Sequence, residues 1–208
     1  MLRRHVRSTL LAGLALSGCV GVLAAGGPQP AAPLAIDSAR ITIAGTSNIH
    51  EYTASTTVVR VTRAALGAGV AGPGFWDAVA RPGALESFEV AVPAARLTSP
   101  KEGLDKNMHK ALKVQEHPDI TFRLIALEPG ANAATLKARG TLRIAGVERE
   151  VVLGLTTERR EATLVVKGKL DLLMTDYGIK PPTAMLGMLK TDPKVTVAFE
   201  TVLAVPLT

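Results

Sequence analysis

In "TLKARGTLRI" Leu136, Ala138, Gly140, Leu142 and Ile144 alternate with Lys137, Arg139, Thr141 and Arg143. A period of two predicts a strand with one dry and one wet side. Ala145-Gly146 makes a tight turn, and "VEREVVLGL" returns with Val147, Arg149, Val151, Leu153 and Leu155 in register, which is a β-hairpin signal. A polar corner, "TTERREA", leads to "ATLVVKGKLDLLM", whose dry face is Ala162, Leu164, Val166, Gly168, Leu170, Leu172 and Met174. The last strand, "KVTVAFETVLAV", groups Val195, Val197, Phe199, Thr201, Leu203 and Val205. Earlier candidates are "ARITIAG", "TASTTVVRVT", "SFEVAVP" (Phe88, Val90, Val92) and "DITFRLIAL" (Ile120, Phe122, Leu124).

These make about eight strands, joined mostly by short turns and without the helical crossovers that parallel βαβ units require. The expected class is all-β, an antiparallel meander that closes into a barrel or folds into a sandwich. Gly45, Gly140, Gly154 and Gly168 inside strands ease the bending that closure demands. An eight-stranded barrel leaves an interior able to hold side chains or one ligand.

Two segments break the period. In "GLDKNMHKALK" Leu104, Met108, Ala111 and Leu112 form one helical stripe, with Lys106, Lys110 and Lys113 opposite. In "PPTAMLGMLK" Pro181-Pro182 predicts the start of a short helix whose face is Met185, Met188 and Leu189, ended by Asp192-Pro193.

The amino terminus belongs to targeting rather than fold. "MLRRHVR" is a basic region, and "STLLAGLAL" is an apolar stretch too short to span a bilayer. It runs into "LSGC", the pattern of a bacterial lipoprotein signal in which Cys19, the chain's one cysteine, carries the lipid. An ordinary secretory signal cut after Ala24 is the alternative. Residues 1–18 are assigned to the signal, 19–35 to an Ala/Gly/Pro tether, and 36–208 to one domain of about 170 residues. The expected location is the periplasm or cell envelope, with membrane attachment through Cys19.

Composition then removes several functions. Without the three arginines of residues 1–18, 21 basic residues face 18 acidic ones, so the formal +6 becomes +3. With seven aromatics in all and no basic block interleaved with them, nucleic-acid binding is not expected. A single cysteine allows neither an internal disulfide nor a cysteine-based zinc site.

"GLDKNMHKALKVQEHPDITFRL" sets Asp105, His109, His117 and Asp119 close together in sequence. Asp105 and His109 are i, i+4 and suit a surface hydrogen bond as well as a ligand pair. Zinc wants three or four ligands, and His50 would have to be brought in by folding. His117-Pro118 reads as a strand-entry turn. No "G-x-S-x-G" motif supplies a nucleophile. Neither catalysis, a metal nor a resident cofactor is expected.

"GTSNIHEYT", "GLDKNMHKALKVQEHPDITFRL", "GTLRIAGVEREVVL" and "DYGIKPPTAMLGMLKTDPKVTVAFE", in this order, resemble the YceI-like proteins over most of residues 36–206. The first motif is similar to a subgroup reading Gly-Thr-Ser, then His, an acid and an aromatic, here His50, Glu51 and Tyr52. The resemblance implies an antiparallel, eight-stranded lipocalin-like barrel with one or two short helices at its mouth. It also implies a periplasmic protein that binds a polyisoprenoid or quinone-like lipid. Such a ligand needs a dry tube, because each buried CH₂ contributes about 0.8 kcal/mol. Phe88, Val90, Phe122, Leu142 and Phe199 are the expected walls. Met108, Leu112, Met174, Tyr177, Met185 and Met188 are expected around the mouth, where methionine adapts to irregular shapes. His50, Asp105, His109 and Tyr177 are the candidates for a polar head group. A filled core with an envelope stress or structural role is the alternative, and a homodimer through a sheet edge stays open.

Overall fold

The computed structural model describes residues 34–67, 70, 74–184 and 188–205. The signal, Cys19 and nearly all of the tether lie outside them, as does Met185. Nine strands form one antiparallel sheet: β1 (Ala35–Ser47), β2 (Glu51–Thr56), β3 (Arg60–Leu66), β4 (Leu85–Pro93), β5 (Asp119–Pro129), β6 (Thr135–Ile144), β7 (Val147–Arg160), β8 (Thr163–Leu173) and β10 (Leu189–Ala204). The two-residue β9 (Thr183–Ala184) pairs only with β10. The order is β2-β1-β10-β8-β7-β6-β5-β4-β3, so the first and last strands of the chain are neighbours.

The period-two segments form the strands expected of them. Across β6–β7, Ile144 pairs with Val147, and the two turn residues Ala145 and Gly146 both have positive φ, 49° and 84°. That geometry matches the right-handed twist of the flanking strands. "TTERREA" is not a corner until its end, since β7 runs on to Arg160 and turns at Glu161 with φ 47°.

The strand count departs from eight at "TASTTVVRVT". Its two halves are β2 and β3, which lie at opposite edges of the sheet, and Thr57–Val59 crosses between them. The sheet is curled so that β1 comes alongside β3. Near one end the seam is tied by an isolated bridge, in which the Ser55 amide donates to Thr98 O (2.8 Å) and the Thr98 amide to Ser55 O (3.0 Å). The result is an incompletely closed barrel.

A second departure concerns "PPTAMLGMLK". Thr183 and Ala184 pair with Lys190 and Leu189 as extended backbone, and Asp192-Pro193 lies within β10 rather than ending a helix. The helices are instead α1 (Phe75–Val79), between β3 and β4, and α2 (Glu102–Ala111), between β4 and β5. Only α2 coincides with an expected helix.

Candidate functional site

The inner faces of the strands do not meet. Phe88, Val90, Phe122, Leu142, Leu153, Leu164 and Phe199 are all only partly buried, although each points into the barrel. They line a cavity of about 250 Å³ whose wall is apolar apart from Thr157 and Thr201. A larger cavity of about 480 Å³ adjoins it under α2. The two share Ile43, Ile120, Ile144, Leu172 and Val197 as wall residues. Volumes of this order are those of small-molecule sites.

Glycines make room for three of the rings along these walls. A Cβ on Gly168 would come within 2.4 Å of the Phe199 ring, one on Gly140 within 2.4 Å of Phe122, and one on Gly45 within 2.3 Å of the Tyr52 hydroxyl. Gly168 faces Phe199 and Gly45 faces Tyr52 directly across the ladder. Only a residue without a side chain lets an aromatic approach its backbone so closely. Three of the four strand glycines are therefore seats for rings, whereas Gly154 has nothing near it.

At the mouth, α2 crosses the barrel end. Leu104, Met108, Ala111 and Leu112 face the larger cavity, as do Met174, Tyr177 and Ile179 on the segment after β8. The connection before α2 is fixed by two side chains. Asp105 Oδ1 accepts from the Ser99 amide at 2.7 Å, and His109 Nε2 lies 2.8 Å from Leu97 O. With a carbonyl as partner, that ring nitrogen carries a proton. Asp105 and His109 thus bond to backbone rather than to each other, and neither lines a cavity.

The other candidates separate as follows. His50 lines the larger cavity at the β1–β2 turn, where its amide is held by Ser47 Oγ at 3.1 Å. His117 packs on Gly146, and Asp119 pairs with Arg60 at 2.8 Å. Among the described residues no three His, Cys, Asp or Glu side chains gather as metal ligands would. Met188, 71% exposed, and Ile49, at 57%, line neither cavity. Asn48 Nδ2 donates to Met188 O (2.9 Å), and Asn48 Oδ1 accepts from the Lys190 amide (2.8 Å).

Sequence reasoning missed Tyr52 as a site residue. Like Tyr177 it lines the mouth cavity, and both phenols are pushed above their ordinary pKa. Burial is the main cause in each case, followed by the negative charge of Asp192 for Tyr52 and of Asp176 for Tyr177. Arg149 partly offsets the latter.

The YceI-like domain model matches residues 74–203, so the chain belongs to the YceI-like family. No curated protein matches the chain. Three solved structures are similar in fold. BcnA of Burkholderia cenocepacia is 13% identical with a TM-score of 0.62, covering 80% of this chain and 96% of that one. A polyisoprenoid-binding domain from Saccharophagus degradans is 12% identical with a TM-score of 0.63, covering 84% and 99%. The Campylobacter jejuni YCEI protein is 15% identical with a TM-score of 0.54, covering 76% and 82%.

Proposed function

We propose that this protein binds a long apolar amphiphile, a polyisoprenoid or an isoprenoid quinone, lengthwise in the barrel, without catalysing a reaction. The observation that carries this reading is the pair of adjoining cavities lined by inward side chains that no neighbour covers. A filled core would have buried those side chains, so the same observation weighs against the structural alternative. The Saccharophagus domain of similar fold is described as polyisoprenoid-binding, which supports the ligand class. At about 0.8 kcal/mol per buried CH₂, a few isoprene units offset the several kcal/mol that ordering a flexible chain costs. The protein works in the cell envelope, held there by a lipid on Cys19.

Native mass spectrometry of the protein purified gently from its own envelope tests the binding. A polyprenyl or quinone species should accompany it and disappear in Met108→Asp, which puts a charge in the mouth wall. A bare mass, with no uptake of added polyprenols or long-chain quinones, would sink the reading. Fractionating the same cells tests the anchor, since Cys19→Ser should move the protein from the membrane fraction to the soluble one.

A further inference from the structure

The mouth cavity is lined by two phenols, Tyr52 and Tyr177. Tyr177 is 3% exposed, yet its hydroxyl has no hydrogen-bond partner among the described residues, and neither has that of Tyr52. No described side-chain oxygen is both fully enclosed and unsatisfied, so neither hydroxyl is sealed off, and both residues line the same cavity. A buried hydroxyl ordinarily has a partner. The Tyr52 ring is held in place by its seat on Gly45, where any Cβ would strike it.

We propose that Tyr52 and Tyr177 form the head-group site of the barrel, donating hydrogen bonds to an uncharged acceptor such as a quinone or ester carbonyl. This rests on the binding function proposed above and specifies its ligand. Carboxylates surround the pair: Asp192 bears on Tyr52, Asp176 on Tyr177, and Glu51 lines the cavity. Lys101 is the one Lys or Arg in the described lining, with Arg149 acting on Tyr177 from outside it. A diphosphate head would want converging cations, whereas a carbonyl needs donors only. The same surroundings keep both phenols protonated, and so able to donate, throughout the neutral range.

The test compares three probes with one polyprenyl chain, ending in a benzoquinone, a diphosphate or plain hydrocarbon, by competitive binding to the full protein. Tyr52→Phe/Tyr177→Phe keeps both rings and removes both donors. It should weaken the quinone about thirtyfold, as loss of two net hydrogen bonds implies, and leave the hydrocarbon within about twofold. Wild type should prefer the quinone to the diphosphate. An unchanged quinone affinity, an equal loss for the hydrocarbon, or a preference for the diphosphate would overturn the head-group site while leaving the barrel a lipid carrier. If wild type takes none of the three, both readings fall together.

Discussion

The two ends of the barrel are each crossed by a connection between neighbouring strands, and the two crossings differ in what holds them. At the far end α1 reaches from the β3–β4 edge to the β7–β8 hairpin. Trp76 Nε1 donates to Ala162 O at 3.1 Å, and Asp77 pairs with Arg159 at 3.1 Å. Two of its five residues, Trp76 and Val79, are buried, and Val79 lines the smaller, apolar cavity. At the mouth α2 is twice as long, yet no residue within it is buried. Its hold combines two polar bonds, from Asp105 and His109 to the preceding backbone, with packing of the half-buried Met108 and Ala111 against the cluster around Leu97, Leu112 and Tyr177. Burial of large side chains outweighs individual hydrogen bonds, each about 1 kcal/mol net. The expectation is that the far end is a fixed floor and the mouth a lid that opens at lower cost. Both cavities are chiefly apolar, with the two phenols at the mouth and two threonines, Thr157 and Thr201, in the smaller cavity beyond it.

Trp76→Ala is the most severe test of this asymmetry. Removing a buried tryptophan should cost about 3–5 kcal/mol, read from urea unfolding followed by circular dichroism because the fluorophore is lost. Arg159→Ala at the same end, breaking a half-exposed ion pair, should change stability by well under about 1 kcal/mol. If the two variants unfold alike, burial does not hold the floor.

Gly168→Ala addresses the tube between the ends. The added methyl must displace the Phe199 ring, and overpacking of this kind costs about 1–3 kcal/mol. Because Phe199 lines the cavity, a ring displaced into it should lower capacity for a long chain more than stability. Gly154→Ala is the control, since nothing stands within 4 Å of its Cβ position. Native mass spectra of the two variants loaded with polyprenols of graded length would separate them. Equal uptake by both would mean that the seats do not keep the tube open.

How far the sequence disclosed these features depends on the range of the interaction behind each. The dry faces of β6, β8 and β10 were legible because alternation is local, and the stripe of α2 because ten residues suffice to show it. The ring seats were not, since Gly168 and Phe199 lie far apart in the chain and meet only through strand register. Tyr52 shares the inward face of β2 with Ala54 and the buried Thr56, a face too polar to stand out. The break at Thr57–Val59 carries neither glycine nor proline, so "TASTTVVRVT" read as one strand. Helix α1 has five residues in a Gly/Pro-rich stretch, too short for a period. The methionines of "PPTAMLGMLK" show helical spacing, but Thr183 and Ala184 find ladder partners on β10, and tertiary pairing outweighs so weak a local preference.

The smallest effect expected is at the lid. Asp105→Asn removes the charge from the bond to the Ser99 amide but keeps an acceptor, so stability should fall by no more than about 1 kcal/mol. Hydrogen exchange should nevertheless quicken in α2 while α1 is unchanged, because local opening is governed by the few contacts of the segment that opens. Ligand uptake and release should both accelerate, leaving affinity nearly constant, if α2 is the barrier to entry. Faster exchange at α1 instead, or unaltered release, would show that the chain enters elsewhere, and the distinction between lid and floor would have to be reversed.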